Sequence, residues 1–182
     1  MFRQILAVFF VLLANMAIAQ QTPDTPQVPP SEPAMTLDRM GKIIIALDEE
    51  AQQRRATISF TIADVPVIVI ADPLADRMRA MVPIRAADGL DAAELMRLMQ
   101  ANFDSALDAR YAVAQGRLWG VFIHPLSPLE TQQLISGLAQ TVNVARTYGQ
   151  AYSGGASVFG GGDSNGIYED LLKELQKKGQ EL

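Results

Sequence analysis

The stretch DAAELMRLMQANFDSALDARYAVAQGRLWGVFIHPLSPLETQQLISGLAQTVNVARTYG, Asp91 to Gly149, reads helix, strand, strand, helix. Asp91-Ala-Ala-Glu94 has the form of a capping box, with Leu90 and Leu95 placed as its hydrophobic staple. Ser127-Pro-Leu-Glu130 repeats that form, with Pro128 at the first helical position. Between the two boxes, Ala109 to Ala114 and Arg117 to Ile123 are short strands joined at Gln115-Gly116. The first helix runs from Ala92 to Phe103, with Leu95, Leu98, Met99 and Phe103 at helical spacing. The second runs from Pro128 to Tyr148 and buries Leu134, Leu138, Val142 and Ala145. Gly137 in its middle costs about 1 kcal/mol against alanine, which predicts a close approach of this helix to the sheet. Gly120 predicts a similarly close neighbour on its strand. Gly149 is expected to end the helix in the left-handed conformation.

Upstream, Thr36 caps a helix whose apolar face is Leu37, Met40, Ile44, Leu47 and Ala51. Its acidic end, Asp48 to Glu50, opposes the helix dipole and is expected to fray, and Gln52 to Arg55 serve as its exit. Three strands follow. In Thr57 to Ile62, Ile58, Phe60 and Ile62 share a face. Val65 to Ala71 is apolar at both parities, as a doubly covered strand would be, with Pro66 at its start or facing an edge. In Arg77 to Ile84, Met78, Ala80, Val82 and Ile84 alternate against Arg77, Arg79, Met81 and Pro83. The fold class is therefore α+β, with a five-stranded antiparallel sheet in the order α-βββ-α-ββ-α.

The flanks differ in character. Arg3, the apolar run Ile5 to Ala14 and the small-x-small site Ala17-Ile-Ala19 have the order of a secretory signal, residues 1–19. The run is short for a span of ~20 residues, so contact with a membrane is expected only during export. The mature chain would then be periplasmic. Residues 20–35 are rich in Pro, Gln and Thr and read as a disordered linker, and 36–149 as the folded domain. Residues 150–166 read as a Gly-rich linker reaching roughly 20 Å. Residues 167–182 carry an amphipathic helix with Leu171, Leu172 and Leu175 on its stripe. Too short to be stable alone, this helix is expected to dock weakly on its own domain or on a partner.

Composition excludes several function classes. There is no cysteine, hence no disulfide, thiolate metal site or thiol nucleophile. The single histidine, His124, excludes a multi-histidine metal site within one chain, and before Pro125 it reads as a turn residue bonding backbone. Of 15 Lys and Arg, Arg3 alone precedes the cleavage site, which leaves 14 basic against 20 acidic residues and no electrostatic footprint for nucleic acid. Gly160-Gly-Gly-Asp-Ser164 lacks the lysine and the preceding strand of a phosphate-binding loop. No cofactor is expected. Asp104 and Asp108 read as turn and cap residues. Met78, Met81, Met96 and Met99 either fill the core or form one adaptable patch. Arg77, Arg79 and Arg110 either are solvated or share a face that holds an anion.

The order of elements resembles the fold shared by the type III secretion chaperones and the YbjN-like family of bacterial sensory transduction regulators. At the sequence level, Ala101-Asn-Phe-Asp104, Asp108-Ala-Arg-Tyr111 and Leu118-Trp-Gly-Val-Phe122 look YbjN-like. The resemblance covers about residues 36 to 149 and transfers no catalytic residue. It implies binding of extended client segments, and dimers formed through the side of the second helix. The expected function is thus a non-enzymatic, chaperone-like binding or adaptor protein that recognises a protein segment, or its own C-terminal helix, through a sheet edge or apolar groove. A weak homodimer is expected at Ala92 to Phe103, with Met96 in the contact. The alternative is a small-ligand or anion-binding regulator with a pocket lined by the arginines and Tyr111 or Trp119; a hydrolase using His124 would need a carboxylate and a hydroxyl beside it. The surface residues singled out are Arg77, Arg79, Met96, Arg110, Tyr111, Trp119, Leu171, Leu172 and Leu175.

Export makes a definite prediction. The intact mass of the protein recovered after expression with its leader should correspond to a chain starting at Gln20, and a mature form retaining Met1 to Ala19 would contradict it.

Overall fold

In a computed structural model of the chain, the residues described are 32–104, 108–149 and 165–179. The signal segment, most of the Pro-rich linker and the glycines at 154–162 lie outside them. The elements are α1 (Leu37–Leu47), β1 (Gln52–Arg54), β2 (Thr57–Ile62), β3 (Val65–Asp72), β4 (Arg77–Ala86), α2 (Ala92–Asp104), β5 (Arg110–Ala114), β6 (Arg117–Pro125), α3 (Thr131–Arg146) and α4 (Asn165–Gly179). The strands form one antiparallel sheet in the order β1-β2-β3-β4-β6-β5. It has six strands rather than the five expected from sequence. The additional one, Gln52–Arg54, is polar and exposed throughout, so no hydrophobic alternation marks it. It exists because the chain reverses at Arg55, which has φ +55°, and pairs Arg54 with Thr57.

Tight turns set the register. Ala63 and Asp64 both have positive φ, as do Gln115 and Gly116. That is the type I′ geometry whose twist suits two-residue hairpins. Pro66 lies before the point at which β3 begins to pair with β4, at Ile68 opposite Met81, so no bond to β4 is lost to it. On one face of the sheet, Ile58, Phe60, Val67, Val69, Ala80 and Phe122 are buried under α1 and α3. β3 is covered on that side alone: Ile70 on the other face is exposed. The apolar residues of β3 at both parities therefore do not mark a doubly covered strand.

α3 is buried around most of its circumference. Leu134, Leu138 and Val142 were expected inside; Ile135, Ala139, Thr141 and Val144 are buried as well. Thr141 and Val144 face β6 at Gly120, while Ile135 meets α4, which packs on α3 and α1 and places Leu171 and Leu175 in the main core, with Leu172 partly buried against it. The C-terminal helix thus docks on its own domain. The start of α3 also differs from expectation. Its N-cap is Glu130, in a capping box with Gln133, and Ser127 acts elsewhere: its N–H and hydroxyl donate to the Asp76 carboxylate at 2.7 and 2.9 Å. The Ser127 carbonyl accepts from the Met35 N–H at 3.0 Å. Met35 is buried in the core, and the Glu32 carboxylate accepts from the Thr131 N–H (3.0 Å) and hydroxyl (2.7 Å) and pairs with Arg39. Residues 32–35 therefore belong to the folded domain, not to a disordered linker. Nor does the acidic end of α1 stand unpartnered, because the Asp48 carboxylate accepts from the Glu50 and Thr61 N–H groups.

A second, smaller cluster joins α2 to the sheet. It contains Leu98, Ala101, Ala109, Tyr111, Leu118 and Val144. α2 begins as its sequence indicates, with the Glu94 N–H donating to Asp91 Oδ1 at 2.7 Å.

Two expectations follow. A Cβ added at Gly137 would fall 2.6 Å from Phe122 Cδ1, so Gly137→Ala should destabilise by about 1–3 kcal/mol through overpacking, although helix propensity alone would raise stability by about 1 kcal/mol. Urea denaturation measures the sign, and a more stable variant would show that the ring yields. Asp76 supplies a pH signature. The Ser127 N–H, and then its hydroxyl, hold the Asp76 carboxyl below its ordinary value of 3.8. A depressed acid stabilises the fold above its unfolded value and loses that contribution as pH falls through the lower, folded one. The stability gap between wild type and Asp76→Ala should be full at pH 7 and narrow below pH 3.8. A gap that stays constant with pH would assign the effect to packing.

Candidate functional site

The residues singled out from sequence do not converge on one site. Tyr111 is buried in the smaller cluster, where its hydroxyl donates to the Val144 carbonyl at 3.0 Å and its ring meets Tyr148 edge-on. It satisfies one of the carbonyls that a helix C-terminus leaves over, and so is no surface residue. Leu171 and Leu175 are likewise inside. The four methionines are scattered: Met78 is in the main core, Met81 on the far face of the sheet, and Met96 and Met99 on the outside of α2. They form no common patch.

His124 lies half-buried at the end of β6, stacked on Phe122, with Nδ1 2.8 Å from the Pro125 carbonyl oxygen. This is the turn-backbone role its position suggests. Asp108 also has a local role. Gln140, a buried polar residue of α3, accepts from the Asp108 and Ala109 N–H groups at 2.7 and 3.2 Å and donates to the Asp108 carboxylate at 3.2 Å. Among the described residues no group of three or more His, Cys, Asp or Glu could hold a metal ion, and no helix is long and apolar enough to cross a membrane.

Two surfaces remain. The first is on α2. Of its stripe only Leu98 is buried. Leu95, Met96, Met99 and Phe103 are 39, 67, 53 and 78% exposed. The cause is geometric: Glu94, Leu98, Ala101 and Asn102 form the face turned to the domain, so an apolar arc wider than the buried face is left on the outside. Asn102 also closes the neighbouring sheet edge. Its Nδ2 donates to the Tyr111 carbonyl (3.1 Å), and its Oδ1 accepts from the Tyr111 N–H (2.7 Å). Those are the backbone groups by which β5 would otherwise accept another strand.

The second surface is the face of the sheet opposite the helices. Cross-strand register places Arg79 beside Ile70 and Ile123, and Arg110 beside Val121. Arg77, Arg79, Ile70, Asp72 and Ile123 line an open depression of about 430 Å³. Arg110 shares the face but lies two strands away from β4. Trp119 is half-buried there; its indole N–H donates to the Ala114 carbonyl at 3.0 Å and the Arg117 guanidinium lies 5.9 Å from its ring centre. Sequence alternation identified the arginines. It missed Ile70 and Ile123 as partners, because apolar residues at both parities read as burial.

No protein-family model matches the chain, and no curated protein matches it. Similar chains among solved structures include one from the HopA1–SchA chaperone–effector complex, with TM-score 0.47 and 11% identity, covering 62% of this chain and 92% of that one. Another comes from the Yersinia pestis type III secretion chaperone SycH in complex with a stable fragment of YscM2, with TM-score 0.44 and 18% identity, covering 58% of this chain and 98% of that one.

Proposed function

We propose that this chain is an exported, non-enzymatic binding protein of chaperone-like architecture that recognises protein segments through exposed apolar surface. The observation that carries the reading is the open arc of α2. Four large apolar side chains adjoin on one helix, and two of them are methionines, which adapt to varied partners. Contiguous exposed apolar surface of this kind marks interaction sites rather than ordinary surface. A groove or helix face is favoured over strand addition: Asn102 closes β5 at Tyr111, and β1 at the other edge is three residues long.

The arc also suits a second copy of the chain. It runs from Leu95 to Phe103, about 12 Å of helix at ~1.5 Å per residue. A strip of that length and roughly one helix diameter (~10 Å) across is small beside the ~800 Å² per partner of a stable interface, so the dimer is weak. A small-anion regulator is the other reading, supported by the depression at Arg77 and Arg79. It is disfavoured because Arg110 does not line that depression.

Sedimentation velocity of the exported protein at rising concentration should show a monomer–dimer equilibrium. Met96→Glu, at a site 67% exposed, should leave the thermal melt unchanged and shift the protein to monomer. Dimerisation that persists in this variant would place the contact elsewhere.

A further inference from the structure

The far face of the sheet has an unusual charge distribution for an acidic protein. Register puts Arg54, Arg77, Arg79, Arg110 and Arg117 on it, five of the eleven arginines in the chain. Among the strand residues of the same face the sole acid is Asp72, whose Oδ1 accepts from the Leu74 and Ala75 N–H groups at 3.0 Å each. Ion pairs among the described residues include Arg39–Glu32, Lys42–Asp38, Arg85–Glu94 and Lys178–Glu174, none of these four on this face. Arg77 has Asp72 opposite it in register and Asp76 beside it in the chain, whereas Arg54, Arg79 and Arg117 lie opposite no acidic residue.

The middle of the face is apolar. Ile70 and Ile123 are 41 and 55% exposed, flanking Arg79 in one cross-strand row. Ile68, Met81 and Val121 form the next row, all half-buried. Apolar centre, arginine rim and a tryptophan are the composition of a protein interface. Guanidinium groups favour planar, bidentate partners such as carboxylates. At physiological salt, charges beyond about 8 Å are screened, so the local basic face, not the net negative charge of the chain, governs what docks there.

We propose that this open face is the docking surface for an acidic segment of a partner protein, whose apolar side chains cover Ile70, Ile123 and Met81 and whose carboxylates meet Arg77 and Arg79 at one end and Arg117 at the other. The proposal deepens the reading of the chain as a protein-binding module by giving the chemistry of the partner. It stands on the side of the sheet away from α2, so the two fail separately. A bilayer is a poorer occupant. Membrane-surface binders bury an apolar face about 5–10 Å into the headgroup boundary, whereas Ile68, Met81, Trp119 and Val121 are set half-buried within the sheet.

The test uses the exported protein and a short dye-labelled peptide of alternating glutamate and leucine, with a lysine–leucine peptide as control. Anisotropy should show the acidic peptide bound in preference and released by rising salt. Reversing exposed arginines should weaken binding about tenfold for each charged hydrogen bond lost, in Arg77→Glu/Arg79→Glu and independently in Arg117→Glu. Arg97→Glu, which reverses an exposed charge on α2 outside its apolar arc, should bind the peptide as wild type does. Equal binding of the two peptides, or arginine variants that bind normally with an unchanged melt, would overturn the proposal. So would release of the peptide by millimolar inorganic phosphate, which would indicate a small-anion site, or preference for phosphatidylglycerol vesicles over the peptide, which would indicate a lipid surface.

Discussion

A missing side chain at position 137 sets how closely α3 lies on the sheet. The Phe122 ring of β6 occupies the space a Cβ there would need, and one turn on, the Thr141 carbonyl oxygen lies where a Cβ at Gly120 would meet it at 3.1 Å. Helix and strand therefore approach at backbone distance, through a glycine on each. Glycine inside a helix costs about 1 kcal/mol of propensity. Here that cost is offset by full burial of Leu134, Leu138 and Val142 against the strands, at about 1.5–3 kcal/mol for each large side chain.

The rest of the structure hangs on this seat. With α3 low on β6, Gln140 reaches the N–H groups of Asp108 and Ala109 and fixes the entry of β5. Val144 comes within reach of the Tyr111 hydroxyl. The opposite side of α3 is left broad enough for α4, and Ile135 and Ala139 become core residues. An isolated helix of 15 residues is marginal in water. Burial of Leu171 and Leu175, at about 1.5–3 kcal/mol each, holds α4 on the domain. With two leucines at core burial, α4 forms a layer over α1 and α3.

Much of this was legible in the sequence, because glycines, turns and periodicity are local. Gly137 and Gly120 announced a close contact, Gln115-Gly116 a hairpin, and the alternation in β2 and β4 the buried face. What escaped was decided by tertiary partners. β1 has three polar residues and exists through its pairing with β2. Ser127 has the sequence of a helix cap, yet its hydrogen bonds are worth more to Asp76, which ties the β3–β4 turn to the start of α3. The stripe of α2 has the spacing of a core helix. Whether such a stripe faces in or out depends on what lies opposite, and opposite it here only Leu98 and Ala101 find partners. Tyr111 illustrates the same limit from the other side. An aromatic residue on an edge strand reads as surface until α3 brings a carbonyl to its hydroxyl.

The two open surfaces are unlike because the two sides of the sheet bear different burdens. On the helix side, apolar surface is consumed by α1, α3 and α4, and α2 meets the domain through a narrow face. Its remaining arc is apolar and nearly uncharged, with Arg97 outside the stripe, so it suits a like surface and is insensitive to salt. The far side has no helix over it among the described residues. Its strands are fixed by pairing and by the core beneath, which leaves the outward positions free to vary. Like charges on one face repel one another, more so at low ionic strength. Arg79 between Ile70 and Ile123 adds nothing to the core beneath, whereas a face that meets carboxylates gains from the same arrangement.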